Sequence, residues 1–467
     1  MIDSPSRRVA FVSLGCAKNL VDSEVMMGRL GSAGWELVGE ASAADALVIN
    51  TCAFIDPAKA ESTEAILQHA ASKRADQRLI VAGCLSQRFG DELRTLIPEI
   101  DGIVGTGAYA SIAEVLEDAW AGKAPCRLDF QPEPEHDFLP RLITTPPATA
   151  YLKIAEGCDH PCTFCIIPAL RGRFRSRSSQ SLLAEARALV DGGTRELILI
   201  AQDSSMYGRD RGPHADRLAD LLGKLHAIDG LEWIRLLYLY PATVDDALID
   251  AMAALPKVCK YVDMPLQHAH PEVLRGMRRP WNGERYIEII EGLRRRIPGV
   301  TLRSTFIAGF PGEREEHVDY LAGWLERAEL DRAGFFAYSR ESGTPGDSLA
   351  EQVPEREKRL RLIRLRDVQR RAAERARMKR LGRSERVLVE ERRRLRAGDP
   401  MRTALGSAHA WLGRSQGEAP GVDGAIFFTG DVRAGSFVEV TLEGATAFDF
   451  HGSLKAGAGR EEAALVG

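Results

Sequence analysis

Three thiols within eight residues constrain this chain more than any other feature: Cys158, Cys162 and Cys165. They stand in the stretch Glu156-Gly157-Cys158-Asp159-His160-Pro161-Cys162-Thr163-Phe164-Cys165-Ile166-Ile167-Pro168, just after the apolar run Tyr151-Leu152-Lys153-Ile154-Ala155. The C-x-x-x-C-x-x-C spacing lets one loop wrap its thiolates around a single inorganic centre. Zinc competes for that role, since His160 could complete a Cys-Cys-Cys-His tetrahedron. Structural zinc sites, however, usually draw their ligands as two pairs separated by a longer stretch. On a cubane iron–sulfur cluster, three cysteines leave one iron without a protein ligand. The spacing, the preceding strand and the basic loop that follows favour the iron–sulfur centre.

A chain of 467 residues suggests two or three domains. Hydrophobic residues at 45% and charged residues at 27% exclude a fibrous or disordered class. Met1 to Arg8 lead into a strand without a secretory apolar core, and no apolar run approaches the ~20 residues of a membrane helix. A cytoplasmic protein without a membrane partner is expected. Eight cysteines then sit where thiols stay reduced, so cluster or metal ligation outranks disulfides.

Residues 8–120 alternate apolar strands with helical patterns, as in a doubly wound, flavodoxin-like parallel sheet. Cys16, Cys52 and Cys84 each fall one or two residues beyond an apolar strand. In an open parallel sheet such strand ends meet along one ligand-binding edge. A free cysteine often merely fills core. Gly15-Cys16, Thr51-Cys52 and Gly83-Cys84 nevertheless read as turns, which points to a second three-thiolate centre. The proline-rich stretch 125–147 reads as a linker after a first domain at 1–124, and its Cys126 as an incidental thiol.

Strand–helix alternation resumes over 148–353. Counting the cysteine strand gives six repeats, fewer than the eight of a closed barrel, so a partial (β/α)6 barrel is expected. Function should gather at the carboxyl ends of its strands. There stand Gln202-Asp203, Tyr240-Pro241, Pro265-Leu266-Gln267-His268, Gly309-Phe310-Pro311-Gly312-Glu313 and Ser339-Arg340-Glu341. Cys259, before a strand, reads as core. Residues 354–382 read as a basic connecting helix with Leu360, Ile363, Leu365 and Val368 at apolar positions; its cationic side suits either nucleic acid or an interdomain strut. Short strands and Gly-rich turns over 383–454 suggest a small antiparallel β-barrel, with 455–467 as a disordered tail.

The whole arrangement from residue 8 to about 454 resembles the methylthiotransferases, a branch of the radical S-adenosylmethionine (SAM) enzymes. The cysteine spacing, with Phe164 before the third thiol, looks like the radical SAM signature. Leu14-Gly15-Cys16-Ala17-Lys18-Asn19-Leu20-Val21-Asp22-Ser23-Glu24 looks like the branch acting on small-subunit ribosomal protein S-twelve. Asn50-Thr51-Cys52-Ala53-Phe54-Ile55, Gly83-Cys84 and Glu156 through Arg177 also match. The resemblance implies two 4Fe–4S clusters, one on Cys16, Cys52 and Cys84, the other on Cys158, Cys162 and Cys165, with a C-terminal TRAM barrel. It further implies insertion of a methylthio group at Cβ of an aspartate, one SAM supplying the methyl group and a second the hydrogen-abstracting deoxyadenosyl radical. Strand-end logic then offers Phe164, Gln202, Arg235, Gln267 and Ile307 to line SAM. A monomer served by a flavodoxin- or ferredoxin-type electron donor is expected.

The alternative is the tRNA-modifying branch, which acts on a hypermodified adenosine and more typically has Gln-Met-Asn after its first cysteine. Residues 356–396 hold eighteen Lys/Arg against six Asp/Glu, whereas residues 397–467 hold five against nine. An acidic barrel suits a basic ribosomal protein and resists RNA, leaving nucleic acid only as a ribosome-associated contact.

Overall fold

The structure is a computed structural model that describes residues 7–129 and 140–455. Part of the expected linker and nearly all of the expected tail lie outside those residues. The first six strands are β1 (Arg8–Ser13), β2 (Glu36–Leu37), β3 (Ala46–Thr51), β4 (Arg78–Gly83), β5 (Gly102–Val104) and β6 (Cys126–Arg127). They form one parallel sheet in the order β2-β1-β3-β4-β5-β6. The central strands are apolar on both faces because helices cover both. Leu47, Ile49, Leu79 and Val81 enter one core, while Ala46, Val48, Ile80 and Ala82 enter the other. Cys126 pairs with Ile103 in the edge strand, so this thiol belongs to the sheet rather than to the linker.

The second half carries β7 (Thr149–Lys153), a short antiparallel ladder of β8 (Ala155–Glu156) with β9 (Arg175–Ser176), then β10 (Glu196–Ile200), β11 (Trp233–Leu236), β12 (Tyr261–Asp263), β13 (Thr301–Ala308) and β14 (Arg332–Ala337). Two parallel sheets, β11-β10-β7 and β12-β13-β14, follow one another, with an isolated Ile234–Val258 bridge linking β11 to the approach to β12. This is the six-stranded partial barrel. Leu197, Leu199, Ile234, Leu302 and Phe306 face the surrounding helices. Ile198, Ile200, Trp233 and Tyr261 face the opposite way, joined by Cys259, which is core as expected.

That inner face is filled by the C-terminal barrel. Its strands β15 (Ser384–Arg394), β16 (His409–Arg414), β17 (Ile426–Phe428), β18 (Phe437–Ala445) and β19 (Phe450–Leu454) close in the order β15-β16-β17-β19-β18. The β17–β19 pair is parallel, so the barrel is not purely antiparallel. Leu388, Ala419 and Phe437 pack on the inner face of the half-barrel, and the segment after β16 carries polar partners into it. Arg414 donates to Glu196 at 2.6 Å, Arg235 donates to the carbonyls of Ser415 and Gln416, Arg332 pairs with Glu418, and Tyr261 donates to Asp423.

The basic helix spans Glu355–Met378 and runs along the helix Glu315–Ala328. Arg364 pairs with Glu315 and Asp319, Arg371 with Glu326, and Arg375 and Lys379 with Glu329. Arg366, Lys358 and Gln369 donate to the carbonyls of Phe335, Tyr338 and Leu330, covering the outer edge of β14. The interdomain strut is therefore the arrangement adopted. Its apolar face is Leu362, Leu365, Val368 and Ala372; Leu360 and Ile363 are exposed.

Candidate paired cysteine centres

The loop carrying Cys158, Cys162 and Cys165 is pinned from every side. Gly157 has φ +83°, and a Cβ there would lie 2.0 Å from the Arg173 carbonyl oxygen, so no other residue fits. The amide of Cys158 donates to the Gly172 carbonyl, Cys165 to Cys162, and Thr163 to Met277. Gly346 donates to the Thr163 carbonyl at 2.7 Å, tying in the loop that follows β14. His160 is held in place: its Nε2 bonds Asp203 at 2.7 Å and its ring stacks on Tyr240 at 3.6 Å. Burial pushes the thiols of Cys158 and Cys165 up to about 11 and about 12.

Cys16, Cys52 and Cys84 are brought to one edge of the first sheet. Cys16 caps the helix Ala17–Ser32, Cys52 follows β3, and Cys84 opens the helix after β4. Gly15, at φ +92°, passes so close to Cys52 that an added Cβ would sit 3.2 Å from its sulfur. Burial raises the Cys84 thiol to about 12. For Cys16 burial acts upward as well, but the Lys18 ammonium and the Arg171 guanidinium together bring it below its ordinary value.

A buried polar hub joins the two centres. Arg171, 1% exposed, donates to Asp22 at 3.2 Å and to both oxygens of Glu156 at 3.0 Å, and also to Asn19. It reaches the Cys84 sulfur at 3.7 Å. Lys153 binds the same two carboxylates, and Gln202 donates to Glu156 at 2.7 Å. Two cations thus balance two anions. Although burial raises it, Glu156 is held far below the usual carboxylate range by Arg171 and Lys153. Lys18, also buried, lies 3.3 Å from the ring centroid of Tyr238, a residue with φ +63°.

The thiol spacing discriminates between metals. A tetrahedral zinc holds thiolates at about 2.3 Å, which places their sulfurs within roughly 4 Å of one another. Among the described residues, the one group of three ligand atoms lying within 4.8 Å is His270, Glu272 and His317, not either cysteine triad. Neither triad is gathered that tightly, and each offers three thiols of the kind that would hold a multi-iron centre. Beside the loop of Cys158, the buried Gln202 Oε1 and Arg279 Nε have no hydrogen-bond partner, as expected of a pocket shaped for a polar ligand. The histidine group is not set for a cation. His270 and His317 both spend Nδ1 accepting backbone N–H groups, and the Nε2 of His317 is already shared between Glu272 and the Arg314 guanidinium, each at 3.3 Å.

Of the residues expected to line SAM, Phe164 and Ile307 pack against one small apolar cluster, and Ile307 donates to the Gln267 carbonyl at 2.8 Å. Gln202 sits at the root of the cysteine loop through Glu156. Arg235 does not join them. It is fully buried against Glu196 and the segment after β16, because its position within β11 sends the side chain to the barrel floor. Sequence reasoning gave no role to Asp22, Lys153 or Arg279, and placed Tyr240 only among the strand-end residues. Asp22 could have been found from its helical spacing, one turn after Lys18. The arginines of the basic loop after the cysteines divide: Arg171 pairs with Asp22 across the domains, Arg177 binds Glu185, and Arg173 binds Asp159 at the surface.

Residues 8–105 match the profile described as Uncharacterized protein family UPF0004, residues 152–325 the radical SAM superfamily, and residues 381–454 the TRAM domain. The chain is 44% identical over 447 residues to the ribosomal protein uS12 methylthiotransferase RimO of Desulforudis audaxviator, covering 95% of this chain and 96% of that one. It is 43% identical over 460 residues to the protein of that name from Geobacter sulfurreducens, covering 97% and 100%. Among solved structures, the radical SAM methyltransferase TsrM from Kitasatospora setae superposes with a TM-score of 0.54 at 17% identity, over 73% of this chain and 75% of that one. This last likeness is one of fold.

Proposed function

The chain belongs to the ribosomal protein uS12 methylthiotransferase family, and from that premise we propose that it places a methylthio group on the β-carbon of an aspartate in that small-subunit protein. The observation that carries this reading is the pair of cysteine triads linked through the Arg171 hub. Cys158, Cys162 and Cys165 would hold the SAM-cleaving cluster, and Cys16, Cys52 and Cys84 the sulfur-donating one. When bound, the clusters and SAM supply the radical and the methylated sulfur. The protein's own part is orientation. Glu156 and Gly157 fix the base of one loop, Arg171 joins that base to the helix of Cys16, and Glu341 binds Lys59 and Arg88 on the helices that follow β3 and β4. The segment after β16 fills the floor of the half-barrel and keeps water from entering there. Residues 1–124, 148–353 and 383–454 would serve as cluster, radical and docking units.

No helix among the described residues is long and apolar enough to cross a membrane. β15 runs to Arg394, so Arg392, Arg393 and Arg394 count with the barrel in its charge balance. Residues 384–455 then hold nine Lys/Arg against ten Asp/Glu, and the barrel is close to neutral. Arg392, Arg394, Arg396 and Arg402 are exposed, and none forms an ion pair among the described residues. This rim favours a second reading in which the substrate is tRNA, or in which uS12 is met within an RNA-containing particle. Mass spectrometry of uS12 and nucleoside analysis of tRNA from a deletion strain carrying this gene separates them. Restored modification of uS12 alone supports the first reading; a restored methylthio-adenosine supports the second.

A further inference from the structure

Two buried arginines each approach one thiol of one triad at 3.7 Å: Arg171 reaches Cys84, and Arg279 reaches Cys162. Their surroundings differ in charge. Arg171 is balanced by Asp22 and Glu156. Arg279, 9% exposed, has no carboxylate within ion-pairing distance among the described residues. Its Nη2 donates to the Pro265 carbonyl at 2.5 Å, and its Nε has no partner. Its guanidinium carbon lies 4.2 Å from the ring centroid of Tyr240, which also stacks on His160, the residue midway between Cys158 and Cys162.

We propose that Arg279 is a positioning residue that raises the reduction potential of the centre held by Cys158, Cys162 and Cys165. This rests on the reading of those thiols as cluster ligands. A cation buried without a counter-ion is costly, and the cost is relieved when a negatively charged, thiolate-ligated cluster is assembled beside it. A fixed positive charge and a hydrogen bond to one ligand sulfur both favour the more negative, reduced state over the oxidised one. The Tyr240 ring orients the guanidinium, and the His160–Tyr240 stack ties that orientation to the cysteine loop itself. Arg171 itself is charge-balanced, and among the described residues the cation without a carboxylate partner beside the first triad is Lys18, next to Cys16. Arg279 thus eases reduction of the centre beside it, the one that must first take up an electron from the external donor.

The test is a potentiometric titration of the reconstituted holoenzyme, followed by electron paramagnetic resonance, with iron content measured alongside. In Arg279→Gln, poised where the wild-type centre is half reduced, the reduced-to-oxidised ratio should fall about tenfold, equivalent to 59 mV for one electron. Arg279→Lys should recover part of that loss, and the other cluster should keep its midpoint in both variants. If Arg279→Gln fails to retain iron, Tyr240→Leu carries the test, and its midpoint must move in the same direction. A wild-type midpoint at full iron content overturns the proposal, as does an unchanged midpoint with weakened SAM binding, which would give the guanidinium to the cofactor instead. Wild-type protein holding a single cluster would instead defeat the functional reading above.

Discussion

Arg171 and Asp22 meet at 3.2 Å across the junction of the two α/β halves, both almost wholly shielded from solvent. The guanidinium comes from the segment just beyond the second cysteine triad and the carboxylate from the helix capped by Cys16. A single pair thereby ties the position of one centre to that of the other. Lys153 and Glu156 complete the hub, and every charge in it has an opposite partner.

Removing one member should cost more than the pair itself contributes, because the remaining carboxylates stay buried. Arg171→Met is expected to destabilise the chain by about 3–5 kcal/mol, measured as a fall in the urea midpoint. Asp22→Asn, which keeps a hydrogen-bond acceptor, should be milder. An Arg171→Met midpoint equal to wild type would show that the hub is not holding the halves together.

Gly157 offers a local test of the loop. An alanine there requires φ +83°, costing about 1–2 kcal/mol, and also drives its methyl group into the Arg173 carbonyl. Gly157→Ala should lose the cluster of Cys158, Cys162 and Cys165 while keeping the other. Iron per chain would then fall to about half, with one paramagnetic signal surviving. Full loading of both would contradict the steric argument.

The first triad predicts a complementary result. Cys52→Ala should bring iron from about eight to about four per chain and leave SAM cleavage under dithionite measurable, while abolishing methylthio transfer. If Cys52→Ala loads as much iron as the parent, Cys16, Cys52 and Cys84 do not share a centre.

Acid should loosen the C-terminal barrel first. Burial raises Glu196 and Glu418, but Arg414 and Arg235 for the former, and Arg380 and Arg332 for the latter, bring each down to about 2 from an ordinary 4.5. A carboxylate with a depressed folded value contributes fully above its unfolded value and loses that contribution as pH falls. Stability should therefore decline from about pH 4.5 towards 2, at up to about 1.4 kcal/mol per pH unit for each group. Glu196→Gln should be less stable at pH 7 and show a shallower decline on acidification. Urea midpoints from pH 7 to pH 3 test this, and parallel curves would exclude Glu196 as a source of the slope.

Much of this was legible from sequence for a definite physical reason. Cys16, Cys52 and Cys84 could be brought together because β1, β3 and β4 are short apolar runs whose ends announce themselves, and parallel pairing then aligns those ends. Arg235 misled because strand-end reasoning does not say which end of the barrel an inward-facing residue occupies; two residues further along, Leu237 and then Tyr238 lead towards the cysteine loop. The stack of His160, Tyr240 and Arg279 is built from three separate loops, and no local pattern encodes such a meeting. The arginines at 392–394 give no strand pattern in the sequence, since a charged run carries little strand signal. Only their pairing with Trp411, Ala410 and His409 reveals a strand.

The stretch from Arg414 to Asp423 acts as a stopper in an otherwise open half-pipe. Cutting the chain after Met378 would take one partner each from Glu196, Arg235, Arg303 and Arg332 and wet a lining that is now dry. Swapping this terminal module between relatives would accordingly demand matching changes on four different strands. The part of the chain that looks most like an accessory is the one least able to be detached.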